Sequence, residues 1–248
     1  MASRGELRIG TSGYQYDHWR DVFYPRDLPK AQWFAYYARQ FDTVEINNTF
    51  YRLPAAHVFD AWHIAAPAGF RYAVKFSRFG SHRKRLKDPE QPIELFVSRA
   101  RHLGAVLGPI LVQLPPRFHV NVPRLEKFLS LLPRAQRWTM EFRDPTWLCE
   151  PVYDLLAAHE VALCVHDMLP DHPRRLTAGF TYLRFHGRAY AGNYTPQALA
   201  SQARRIRAYL ADGIDVYAYF NNDIGGYAVR NALDLRRYIE GAGQRAVA

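Results

Sequence analysis

In three short segments of this chain, apolar residues alternate one for one with polar or charged ones, and no other feature restricts the fold so tightly. Trp138, Met140 and Phe142 alternate with Thr139, Glu141 and Arg143. Val44 and Ile46 alternate with Glu45 and Asn47, and Leu183 and Phe185 with Arg184 and His186. A period of two belongs to a strand, whose successive side chains point to opposite faces. Glu141 therefore shares a face with Arg143, Glu45 with Asn47, and Arg184 with His186. Ionised groups are rarely buried unless paired. Several strands that aim acids and bases the same way point to a shared polar site.

Strand-like runs alternate with helix-like ones almost to the end. Strands are expected over residues 7–13, 43–51, 71–78, 110–114, 138–143, 161–167, 181–186 and 215–220. Helices are expected over 29–41, 55–65, 92–103, 124–132, 151–159, from the Thr195 cap and Pro196 to about 210, and over 227–239. Prolines at first-turn positions and glycines at 104 and 241 mark several of these ends. Residues 168–178 hold two prolines and two arginines, too short and broken a stretch for a crossover helix, and read as a loop replacing most of a sixth helix. The expected architecture is α/β: one (β/α)8 TIM-type barrel over residues 1–248. The chain's 248 residues, 48% of them hydrophobic, fit the ~250 typical of that fold. No Gly-x-Gly-x-x-Gly follows any strand, so dinucleotide binding has no support and no cofactor is expected.

Residues 1–8 are polar, unlike a signal peptide, and no apolar run approaches the ~18 residues of a membrane span. A cytoplasmic protein without membrane contact is expected, with Cys149 and Cys164 as buried free thiols. The net charge of +10 favours anionic partners.

With the bulky apolar residues facing outward, the inward set is Gly10 and Ser12, Glu45 and Asn47, Lys75 and Ser77, Gln113, Glu141 and Arg143, Cys164 and His166. Tyr182, Arg184 and His186 follow, then Tyr217, Tyr219 and Asn221. Most of the polar members lie near the C-terminal ends of their strands, the face where such barrels build active sites. The plainer alternative is a set of structural ion pairs, Glu45 with Lys75 and Glu141 with an arginine. Metal ligation by Glu45, Glu141, His166, Asp167 or His186 is opposed by Lys75, Arg143 and Arg184 in the same ring, so no metal is expected. Guanidinium groups suit an oxyanion such as phosphate. The turn Asn221-Asn222-Asp223-Ile224-Gly225-Gly226 at a helix start suits one too, although a tight turn alone would also use those glycines. The basic run 81–87, with Phe50, Tyr51 and Phe79, has the interleaving of charge and aromatic rings used by single-stranded nucleic-acid binders.

Several of these segments resemble the YecE-like family, also known as domain of unknown function 72. They are Thr11-Ser12-Gly13-Tyr14, the run from Val44 to Tyr51, Lys75-Phe76-Ser77, His82 with Arg85-Leu86, and Gln113-Leu114-Pro115-Pro116. Glu141-Phe142-Arg143 with Trp147, Arg184-Phe185-His186-Gly187 and Phe220-Asn221-Asn222-Asp223 complete the series. The resemblance covers nearly the whole chain and implies a TIM-type barrel. It departs at Ser81, where the family pattern has a threonine before the histidine. By similarity, the family has been grouped with sugar isomerase-related and endonuclease IV-like barrels, which are metal enzymes.

Together these readings lead us to expect a hydrolase, lyase or isomerase working by acid/base chemistry on a phosphorylated or other anionic small molecule. Glu45, Lys75, Glu141 and His186 are the expected catalytic groups. Ser12, Asn47, Ser77, His82, Arg85, Gln113, Arg143, Arg184, Asn221, Asn222 and Gly225 are the expected ligand-holding ones. The alternatives are a nucleic-acid-binding barrel, a sugar isomerase-related metal enzyme, and a non-catalytic module with a structural polar interior.

Overall fold

Eight strands form in the computed structural model, which describes residues 4–187 and 190–241. They are β1 Leu7–Thr11, β2 Thr43–Ile46, β3 Arg71–Lys75, β4 Leu107–Leu114, β5 Trp138–Phe142, β6 Ala162–His166, β7 Phe180–Phe185 and β8 Asp215–Phe220. They belong to one eight-stranded sheet in the order β1-β8-β7-β6-β5-β4-β3-β2. Helices α1 Trp33–Tyr37, α2 Asn48–Tyr51, α3 Ala56–Ala65, α4 Glu90–Ala100, α5 Val122–Ser130, α6 Glu150–Ala158, α7 Pro196–Ala211 and α8 Tyr227–Glu240 alternate with them. Among the described residues, no helix lies between β6 and β7, as the proline-rich composition of 168–178 leads one to expect. The chain divides into two compact units, residues 1–44 with 183–248, and residues 45–182.

In the first unit β1 and β8 pair in parallel, from Leu7 opposite Val216 to Thr11 opposite Phe220. Gly10 is required here: a Cβ would lie 2.2 Å from the Thr43 carbonyl oxygen, so only glycine allows this approach. The expected helix over 29–41 shrinks to one 3-10 turn, Lys30–Gln32, and the short α1. Tertiary bonds fix this short element. The Tyr37 hydroxyl donates to the Thr43 carbonyl at 3.1 Å and accepts from the Thr11 amide at 3.0 Å. Trp33, Tyr37 and Phe41 are buried, whereas Phe34 is only half-buried. Thr195 caps α7 by accepting from the Ala198 amide, as its sequence position implies.

In the second unit β3, β4, β5 and β6 pair in parallel. Two strand expectations need correction. Strand two ends at Ile46 rather than running to 51, because Asn47 adopts helical dihedrals (φ −97°, ψ −16°) and residues 48–51 form α2. The Thr49 hydroxyl, 2.7 Å from the Lys75 carbonyl, folds this turn over the end of β3. Strand three stops at Lys75, and the chain then winds into a five-residue π turn, Phe79–Arg83. Cys164 is buried as expected, but Cys149 is only half-buried. Among the described residues, no helix is long and apolar enough to cross a membrane.

Candidate functional site

Register assembles a polar layer in the 45–182 unit. Neighbouring residues in a parallel ladder project to the same face. Gln113 on β4 pairs with Glu141 on β5, and Thr139 on β5 pairs with Ala162 on β6, so Cys164 lies level with Glu141. Lys75 pairs with Leu111, two residues before Gln113 and on the same side of β4. Side-chain bonds then join the layer. Lys75 Nζ donates to Gln113 Oε1 at 2.7 Å, and Cys164 Sγ lies 3.8 Å from Glu141 Oε2. Arg143, one residue past the end of β5, still turns to the side of Glu141, and its Nε binds Glu141 Oε1. Both Glu45 and Glu141 are fully buried, and Lys75 is 8% exposed.

Glu45, on β2, accepts from the Tyr182 hydroxyl at 2.7 Å. Tyr182 falls on the expected inward face but outside the expected site residues. Its place two residues before Arg184 was the available signal. Lys75 sits with Nζ 4.3 Å from the centre of the Phe50 ring, and His82 packs edge-on to the same ring at 4.8 Å. Burial, with Lys75 and Arg78 nearby, pushes the His82 imidazole down to about 4, so it is neutral at pH 7. His166 is also neutral by geometry. Its Nε2 faces the Phe142 carbonyl at 2.9 Å and must donate, while Nδ1 accepts from the Met168 amide at 3.3 Å. The ring of Trp147, buried at the end of β5, stacks on Phe142 at 5.1 Å and 6°, bracing the strand that carries Glu141.

The remaining expected residues of this unit stand differently. Asn47 lies beyond β2, so strand alternation does not set its direction. Ser77 Oγ accepts from the Gly80 amide at 3.3 Å and its carbonyl receives Ser81, a turn-forming role. Arg85 is exposed, over the Phe118 ring.

In the other unit Arg184 and His186 are buried, His186 edge-on to Tyr190 at 5.5 Å. Buried Ser12 donates its amide to the Phe220 carbonyl at 2.8 Å, and Asn221 donates its own to Phe185. Asn222 is fully buried, and its side-chain amide binds the Gly192 carbonyl and Asn231 Oδ1. Gly225 and Gly226 take φ values of 68° and 70°, the left-handed turn that favours glycine. The amides of Gly226 and Ala228 donate to the Asp223 and Asn222 carbonyls, bonds that close the turn into α8. Among the described residues, no group of three or more His, Cys, Asp or Glu is disposed to hold a metal ion.

Eight strands in a single parallel α/β sheet with helices between them define the (β/α)8 barrel class, with a polar layer near the strand ends. The model of the family described as protein of unknown function DUF72 matches residues 8–247, and the chain belongs to that family. A DUF72 family protein of Thermotoga maritima has a similar crystal structure. Its TM-score is 0.85 at 30% identity, covering 95% of this chain and 99% of the other. UPF0759 protein YunF of Bacillus subtilis is 25% identical over 274 positions, covering 94% of this chain and 95% of its own. UPF0759 protein YecE of Escherichia coli is 32% identical over 115 residues, a match spanning 46% of this chain and 42% of YecE. At 14% identity and a TM-score of 0.52, a D-psicose 3-epimerase of Clostridium cellulolyticum shares the fold alone.

Proposed function

We propose that this protein is an enzyme using general acid/base chemistry on a phosphate-bearing or other anionic small molecule. One observation carries the reading. Two fully buried carboxylates on different strands, Glu45 and Glu141, lie in one unit with the nearly buried Lys75 and Arg143. Burying that many charges is a poor way to gain stability, since apolar residues of similar size do as well or better. The Tyr182 hydroxyl orients Glu45, the candidate base, and the Lys75 ammonium is the candidate proton donor, held by Gln113. Arg143, on the strand-end side of Glu141, is the candidate anion holder.

The test is a thermal-shift screen of wild type and Arg143→Met against inorganic phosphate, sugar phosphates and nucleotides, followed by turnover assays on any hit. A phosphate-bearing compound should raise the Tm of wild type and lose that effect in the variant. Glu45→Gln should lower turnover by about 100-fold or more. Equal protection of a folded Arg143→Met, or full turnover by Glu45→Gln, would remove the reading.

A further inference from the structure

Beside the acid/base layer, the 45–182 unit carries an aromatic groove that this chemistry does not use. A cavity of about 320 Å³ is lined by Phe50, Tyr51, Phe79, Leu95, Ser77 and Gln91. Apolar side chains in a groove are usually covered, yet Tyr51 is 74% exposed, Leu95 49% and Phe79 47%. A second hollow shares Tyr51 and Leu95 with the first and adds Arg52 and Arg99. The Tyr51 ring therefore stands at the border of two adjoining hollows.

Cations flank this groove: Arg52 and Arg99 line the second hollow, and Lys84 Nζ lies 5.7 Å from the centre of the Phe79 ring. Residues 78–90 hold five Lys or Arg against two carboxylates. Glu90 is paired with Lys127, and Lys84 with Asp88 at 3.2 Å. Among the described residues, Arg52, Arg78, Arg83, Arg85, Lys87 and Arg99 form no ion pair. The segment is also held in a costly shape. A π turn over Phe79–Arg83 is followed by left-handed Arg85 (φ 50°), Leu86 (φ 63°) and Asp88 (φ 40°), with Leu86 buried as its anchor. Such strain gathers where a surface must keep a set form.

We infer that this groove binds single-stranded nucleic acid, with bases stacked on Tyr51 and Phe79 and phosphates on the flanking arginines and lysines. Three features favour this ligand over an acidic peptide. Aromatic faces interleaved with guanidinium groups are the stacking platform of single-strand binders. Two hollows that share the Tyr51 ring suit successive bases. The Gln91 carboxamide, at the groove wall, offers a donor and an acceptor to a base edge. The inference stands apart from the acid/base reading, because neither Glu45 nor Glu141 takes part.

The test measures fluorescence anisotropy of a labelled single-stranded oligonucleotide of about 15 nucleotides, the length of a typical single-strand site. Inorganic polyphosphate and polyglutamate serve as competitors. The oligonucleotide should bind at low salt, with log K falling against log salt with a slope of about −2 to −3.5, for three to five phosphate contacts. Tyr51→Ala and Phe79→Ala should each weaken binding about tenfold, and Tyr51→Phe should restore it. Melting curves provide the folding control, since both rings are exposed and their removal should leave Tm nearly unchanged. Binding unaffected by loss of the rings, equal competition by polyphosphate or polyglutamate, or no binding at low salt would each overturn the inference.

Discussion

Substituting Arg143 by methionine should expose how the Glu141 charge is held. Glu141 is fully buried and Arg143 only 10% exposed, so their ion pair is removed from water on both sides. Breaking a buried pair by deleting one partner costs about 3–5 kcal/mol, because the other charge stays buried. Glu141 keeps Cys164 near its second oxygen, so the lower part of that range applies, about 3 kcal/mol for Arg143→Met. Glu141→Gln should then have opposite signs in two backgrounds. In wild type it removes the negative charge beside a nearly buried guanidinium and destabilises. In Arg143→Met it neutralises a buried carboxylate that has lost its guanidinium and should restore about 1–2 kcal/mol. Urea unfolding of the four proteins of this cycle, at equal m values, gives the coupling directly. Coupling below about 0.5 kcal/mol, or Glu141→Gln equally destabilising in both backgrounds, would refute the buried-pair argument.

Two further outcomes follow from the same structure. His82 and His172 are both pushed down to about 4 from 6.5, chiefly by burial, so between those values the unfolded chain gains protons that the folded chain refuses. Their contribution is complete above pH 6.5 and is lost as pH falls towards 4. Solvent screening at these half-buried rings limits it to about 1 kcal/mol each. Urea midpoints at pH 7 and 5 should converge less steeply for the double variant His82→Gln, His172→Gln than for wild type, and equal slopes would refute this. Gly226→Ala should cost more than about 1 kcal/mol, since φ is 70° and the new Cβ would lie 2.4 Å from Val22 Cγ1. An unchanged urea midpoint would show that the turn relaxes without cost.

Period-two alternation was enough to place Glu141 and Arg143 on one face, and strand-like runs alternating with helix-like ones marked eight strands, because both patterns are local to each segment. The broken composition of residues 168–178 likewise showed that no helix follows β6. Local pattern failed at residues 47–51, where the Thr49 hydroxyl reaches a carbonyl of β3 and turns an apparent strand into a helical turn. The bonding partners of the charged groups also lay beyond local reading. Glu45 takes its hydrogen bond from Tyr182, 137 residues away, and Lys75 donates to Gln113, 38 residues on. Side-chain period fixes which face a residue occupies; only the register between strands distant in the chain decides which groups meet there.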